Sequence, residues 1–415
     1  MKKSIALILA ILILSCLCAC GGGDTTSTDA KPENNKLDGV GSVTESVADN
    51  TPAPTTAPAP TEPARPVPQN FLMVDEIERG EKDLLFGSDS VTRESILSVT
   101  FLDTLKDKPA DAWDVSADKN GSVMAWVDDG YNLYIAGEGG VTAKSCDRLF
   151  AYFMNTESIE FNDCFYTDLC TDMDLMFFDC RDLKELDLSF FDTSKVTTVY
   201  SMFESCFEMT RCDVSGFDTS NIRAFNNMFH SCWELQNLDV SGFDTSNANN
   251  MDGMFASCEM VNKLDVSGFD TSGVTNMDGM FYGCRTLDEL DVSGFDTSKV
   301  TNMRDMFCGL TVEAVDTSGF DTSNVTDMAG MFSDCKNMKS IDVSSFNTSN
   351  CKRFKSMFSG CESLESLDLS GFDFSKQTDA SYMFNGCAKL KSIGTTITLP
   401  SGCEDVDMYK DCGLK

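Results

Sequence analysis

One period governs most of this chain. The phrase LDVSGFDTSGVTNMDGMFYGC, residues 264–284, stands with small changes both before and after itself. Its first aspartate recurs as Asp187, Asp213, Asp239, Asp265, Asp291, Asp316, Asp342 and Asp368, in steps of 26 with a single step of 25. Met-Phe recurs from Met176-Phe177 to Met383-Phe384 and closes as Met408-Tyr409. A cysteine follows three residues after each ring from Cys180 to Cys412, except where Leu310 takes the place. A unit this short cannot bury its own apolar face. Successive units must therefore stack and share one core.

Within one unit the apolar spacing changes character. In LDELDVS, Leu290 and Val292 alternate with Glu289, Asp291 and Ser293, which predicts a short strand with the leucine and valine inward. In TNMDGMFYGC, Met277, Met280, Phe281 and Cys284 fall at i, i+3, i+4 and i+7, which predicts a short helix, with Thr275 and Asp278 in the form of a capping box. The expected fold is an α/β solenoid of leucine-rich-repeat type, about ten strand–loop–helix turns over residues 146–415. At ~4.8 Å per strand the rod is roughly 45 to 50 Å long. The alternative is a parallel β-helix with a second strand in place of the helix.

The columns tempt a chemical reading. Stacked thiols point the same way and suit disulfide geometry poorly, and Cys212 and Cys351 occupy leucine and valine columns, so the cysteines read as small buried fillers. Outward aspartates on neighbouring rungs repel by about 0.9 kcal/mol per pair even in water. Either hydrogen bonds to nearby Ser and Thr offset this, or divalent cations do. Asp187, Asp213, Asp239, Asp265 and Asp291 are the weak metal candidates; calcium is disfavoured because no glycine-rich calcium loop accompanies them, and no cofactor is expected. The second column, Asp192, Asp218, Asp244, Asp270, Asp296, Asp321 and Asp373 with Asn347, reads as Asx-turn residues. No nucleophile elbow, zinc helix or phosphate loop occurs, and the single histidine, His230, sits at a position that varies freely between units; the chain does not read as an enzyme.

Outside the array the composition shifts three times. Lys2 and Lys3 precede the apolar run IALILAILIL, a signal-peptide pattern over residues 1–19, and Leu17-Cys18-Ala19-Cys20 resembles a lipobox with Cys20 as the lipidated residue. Residues 20–70 carry most of the prolines and read as a disordered, extended stalk. Residues 71–145 hold Trp113 and Trp126 and alternating stretches such as VMAWV and LYI, which suggest short strands in an N-terminal leader capping the array. Lys and Arg total 32 against 66 acidic residues, a net charge of -34, which excludes a nucleic-acid partner.

The unit LDVSGFDTSxVTxMxxMFxxC closely resembles the 26-residue repeat of bacterial surface proteins grouped with the BspA-like leucine-rich-repeat proteins, and it is similar over nearly two thirds of the chain. The resemblance implies a lipoprotein held by its N-terminal lipid at the extracellular face of a bacterial, Gram-positive membrane. It also implies adhesion, with protein ligands on host matrix or neighbouring bacterial cells. The side chains that vary between units beside the Asp column, Glu185, Arg211, Asn237, Lys263 and Glu289, are the candidate partner surface. A glycan-binding or substrate-capture lipoprotein using Trp113, Trp126 and Tyr131 of the leader is the alternative.

Overall fold

The computed structural model describes residues 67–73 and 85–414. The signal segment, Cys20 and nearly all of the stalk lie outside the described residues. The leader contributes β1 (Ser98–Leu102), β2 (Trp113–Asp114), β3 (Val123–Val127), β4 (Asn132–Gly137) and β5 (Val141–Thr142). Alternation places Val123 and Ala125 inward, and the β3–β4 hairpin turns on Asp128, whose Oδ1 accepts the N–H of Gly130 and of Asn132. With β6 (Ser158–Glu160), β1 to β4 form a sheet in the order β2-β3-β4-β1-β6, antiparallel as far as β4 and parallel from β4 to β6, while β5 pairs in parallel with β7 (Phe165–Tyr166). The parallel step from β1 to β6 joins leader and array. One core of buried side chains then runs from Leu72 to Met408. Arg93 is buried in this junction, its guanidinium donating to the carbonyls of Leu149 and Ala151 and lying 5.4 and 5.2 Å from the rings of Phe86 and Phe153.

The array is a repeat solenoid. Leu290 and Val292 are buried and Glu289, Asp291 and Ser293 exposed, so the expected alternation holds on the strand side. The Met-Phe side differs from expectation. Among the described residues there is no α-helix, and the segment is a run of tight turns. Met280 N–H donates to Met277 O and Cys284 N–H to Phe281 O, both at 3.3 Å within the turn. Alternate N–H groups leave the turn altogether: Gly279 donates to Arg304 O, Phe281 to Met306 O and Gly283 to Cys308 O, at 2.7 to 3.0 Å. An α-helix spends its N–H groups on its own carbonyls and would leave none for the next rung. The local cause is backbone handedness. Gly279 and Gly283 have φ of 57° and 69°, and the same two places in other turns are left-handed, as at Ser201 and Ser205 or Asn227 and Ser231. Such residues interrupt a right-handed helix, and Gly, Ser, Asn and Asp fill most of both columns. Thr275 correspondingly donates its hydroxyl to Asn249 O of the preceding turn and does not cap a helix.

Three ladders hold the rungs in register. Parallel bridges at one residue per turn run without a break from Thr198↔Ala224 to Asp379↔Glu404, on the side where a helix was expected. On the strand side β8 (Glu185–Asp187) pairs with β9 (Arg211–Asp213), and Arg211 bridges to Asn237. Among the described residues bridging then lapses on that side until Ser366↔Ser392. The buried threonine of each Phe-Asp-Thr-Ser supplies the third ladder, as when Thr271 Oγ1 donates to Asp296 O at 3.0 Å.

Inside these ladders the second residue of each Met-Phe pair forms a continuous aromatic stack. From Phe150 through Phe177, Phe203, Phe229, Phe255, Phe281, Phe307, Phe332, Phe358 and Phe384 to Tyr409, neighbouring centroids lie 5.2 to 6.1 Å apart with planes within 25° of parallel. From Cys180 to Cys387 the ladder thiols beside the stack are donors as well as fillers. Cys284 Sγ lies 3.2 Å from Phe255 O, and Cys232, Cys258 and Cys361 repeat the contact one turn at a time.

Two substitutions separate the core from the ladders. Phe281→Ala removes one ring from the middle of the stack and is expected to cost about 3–5 kcal/mol. Thr271→Val keeps the shape and removes one hydroxyl bond, at a cost of about 1 kcal/mol. Urea unfolding of both variants checks the order; an equal loss would place the main stabilisation in the hydroxyl ladder.

Candidate functional site

The strand side carries a groove of 560 Å³ where backbone bridging gives out. Its walls are three successive rungs: Arg211, Asp213 and Ser215; Asn237, Asp239 and Ser241; Lys263 and Asp265. The inward residues Cys212, Val214 and Leu238 form its floor. The alternation that buries Leu and Val forces their neighbours outward, so the varying position and the aspartate emerge side by side on each rung. Three of the five candidate partner residues, Arg211, Asn237 and Lys263, are thereby brought together. Glu185 pairs in register with Arg211 on the flanking rung, and Glu289 lies one rung beyond Lys263; neither lines the groove. Gln236 and Asn262 also line it. Sequence reasoning missed them because the residue preceding the varying column gives no periodic signal.

The aspartates are held by local chemistry. Asp213, Asp239 and Asp265 each accept the backbone N–H and the hydroxyl of the serine two residues on, at 3.0 to 3.1 Å and 2.7 Å. Asp187 and Asp291 do the same with Ser189 and Ser293. The serine hydroxyl and then the serine N–H hold the carboxyls of Asp187, Asp239, Asp265 and Asp291 below the usual carboxylate range. The second column is built identically, with Asp218 accepting from Ser220 and Asn347 from Ser349. Arg211 Nη2 donates to Asp213 Oδ2 at 2.9 Å, so the groove presents a paired cation at one end and the Lys263 ammonium at the other.

A family described as "Mycoplasma protein of unknown function, DUF285" matches residues 144–236, 206–312 and 275–396. The chain belongs to this family. The matched stretches overlap and together span residues 144–396. No curated protein matches the chain. Two solved structures resemble it: a leucine-rich repeat protein from Bacteroides ovatus ATCC 8483, at 14% identity over 76% of this chain and 85% of that one with a TM-score of 0.33, and a leucine rich cell surface protein from Faecalibacterium prausnitzii A2-165, at 14% identity over 69% and 89% with a TM-score of 0.26. Superpositions this loose add nothing to the geometry of the groove.

Elsewhere on the DUF285 array a second concavity of 300 Å³ lies on the Met-Phe side, lined by Arg148, Tyr152, Leu175, Phe178, Tyr200, Glu204 and Asn227. His230 is half-buried nearby, 3.9 Å from Glu204, and burial lowers its pKa against the pull of that carboxylate. The three leader aromatics do not share one platform. Trp113 pairs with the buried Ala125 and packs toward the core, whereas Trp126 points to the opposite face and stacks on Tyr134 at 5.4 Å. Tyr131 stands at the hairpin tip, 56% exposed.

The serine bonds predict how the Asp column answers acid. A carboxyl depressed in the fold stabilises it above the ordinary value of 3.8, and that contribution is lost as the pH falls through the folded value. Replacing Asp239, Asp265 and Asp291 together by Asn keeps an Oδ acceptor, as Asn347 does, and removes the titration. The triple variant is expected to melt no lower than the parent near pH 7 and to lose less of its melting temperature on acidification below about pH 3.8. Identical acid limbs in the two proteins would sink this account.

Proposed function

We propose that this chain is a surface-anchored bacterial lipoprotein and a non-catalytic protein-interaction or adhesion module, whose ligand is a protein on host matrix or on neighbouring bacteria. The observation that carries the reading is the groove. A stacked array fixes its backbone and core residues in every turn and leaves outward columns free, and three members of one such column converge on one concavity of mixed charge. Carboxylates already held by serine, an arginine paired to one of them and three side-chain amides suit an extended polar segment of protein.

Anchoring rests on the sequence alone, through Cys20 and the stalk. Membrane fractionation of cells expressing the full chain is expected to show the parent in the membrane fraction and Cys20→Ala released from it; a Cys20→Ala protein that stays bound overturns the anchor.

Screening the full chain against epithelial, matrix and bacterial-surface proteins tests the module itself. Reversing Arg211 and Lys263 to Glu together is expected to weaken a genuine ligand at least tenfold, about 1.4 kcal/mol. Lys352→Glu, exposed on a different face, is the control and leaves affinity unchanged. No ligand in the panel, or equal effects of the two changes, counts against the groove. The Trp126–Tyr134 stack supports the second reading, glycan capture by the leader, and glycan-array binding abolished by Trp126→Ala would favour it.

A further inference from the structure

At its N-terminal end the array breaks its own rule for cysteines. The ladder thiols are directed at backbone carbonyls: Cys180 Sγ lies 3.1 Å from Phe150 O and Cys206 Sγ 3.2 Å from Phe177 O. Cys146 and Cys170 lie outside that ladder, and Cys170 Sγ, 3.2 Å from Asp172 O, has a second sulfur beside it as well as a carbonyl. Cys170 stands where later turns place Val196, Ile222, Ala248 and Val274, and its N–H donates to Thr167 O as that of Val196 does to Thr193 O. Cys146 stands one turn earlier, at the place of Met173 and Val199; its N–H donates to Asp172 O as that of Met173 does to Thr198 O. These two columns meet in the core, so two side chains that most later turns make apolar are here both thiols. Their sulfurs are 3.3 Å apart and wholly buried.

We propose that Cys146 and Cys170 are a modification site at which the chain takes up a disulfide, cross-linking the first two turns of the array. The two rungs are already joined by the 2.8 Å bond from Cys146 N–H to Asp172 O, which sets their backbones at ladder spacing. A bond of ~2.05 Å requires the sulfurs to close by roughly 1.3 Å, within the reach of side-chain rotation at that spacing. The reaction is exchange with an external disulfide, either a small-molecule disulfide or the active-site disulfide of an oxidoreductase. Cys170 loses its proton and attacks one sulfur of the external disulfide, releasing the other as a thiolate. Cys146 then loses its proton and attacks Cys170 Sγ, releasing the second external thiolate. Two thiols of the chain are oxidised, one external disulfide is reduced, and two protons leave. The hydrogen bond between the sulfurs favours this order: Cys146 S–H stabilises the Cys170 thiolate and lowers its pKa, while burial pushes Cys146 up. Because both sulfurs are buried, exchange belongs to the folding chain or to local opening of this end of the array.

The test is exchange followed by thiol mapping. The full chain, purified reduced, is incubated with oxidised glutathione in buffer and in urea below the unfolding midpoint, quenched in acid, denatured, alkylated and digested. The expected result is a linked pair of peptides carrying Cys146 and Cys170, lighter by two hydrogens, about 2 Da, and separated by reductant, with Cys284 and Cys361 alkylated. Cys170→Val introduces the residue that later turns carry and preserves the fold; it is expected to abolish the linked pair with no other pair replacing it. Alkylation of both cysteines under both conditions, scrambled pairing with the ladder thiols, or a Cys146 that pairs elsewhere in Cys170→Val overturns the proposal.

Discussion

The in-register stacking of one aromatic ring per turn is the constraint on which the rest of this molecule depends. Each ring meets its counterpart 5.2 to 6.1 Å away, slightly more than the spacing of hydrogen-bonded strands. Once the rings are fixed, every other column is fixed with them. The buried methionines, valines and leucines fall at constant depth, the threonine hydroxyl meets the next turn's carbonyl, and the cysteine thiol meets the previous turn's.

Backbone hydrogen bonding is unevenly shared between the two sides of the array. On the Met-Phe side alternate N–H groups cross to the next rung, and the bridges are unbroken over the array. On the strand side bridging stops beyond Asn237, and the groove opens over the rungs of Arg211, Asn237 and Lys263. The aspartates there are each held by a serine partner two residues away in the same chain. A repeated acidic column thus stands beside a varying one, so the units share a scaffold while their outward side chains differ.

Much of this was legible in advance, and the failures have identifiable causes. The i, i+3, i+4, i+7 stripe of Met277, Met280, Phe281 and Cys284 located the buried residues correctly, yet it named the wrong element, because successive tight turns bury the same positions as a helix does. The corrective signal was present in the Gly, Ser, Asn and Asp columns at Gly279 and Gly283, which only a left-handed backbone explains. The outward columns named Arg211, Asn237 and Lys263, but not Gln236 and Asn262, whose column carries no repeat. Trp113, Trp126 and Tyr131 read as stacking surfaces of the leader, and the pairing of β2 with β3 sets the two tryptophans on opposite faces of the sheet.

The sequence by itself determined the period, the identity of each buried column, the Asx turns and the membership of a repeat family, because all of these rest on contacts within one unit or on its exact return. Only the tertiary structure decided which N–H groups cross between rungs, where bridging lapses, and which two thiols come to face each other across a turn. Those outcomes depend on the spacing of residues about 26 apart, summed over a stack of rings and ladders. No single unit contains that information, since each rung takes its position from its neighbours.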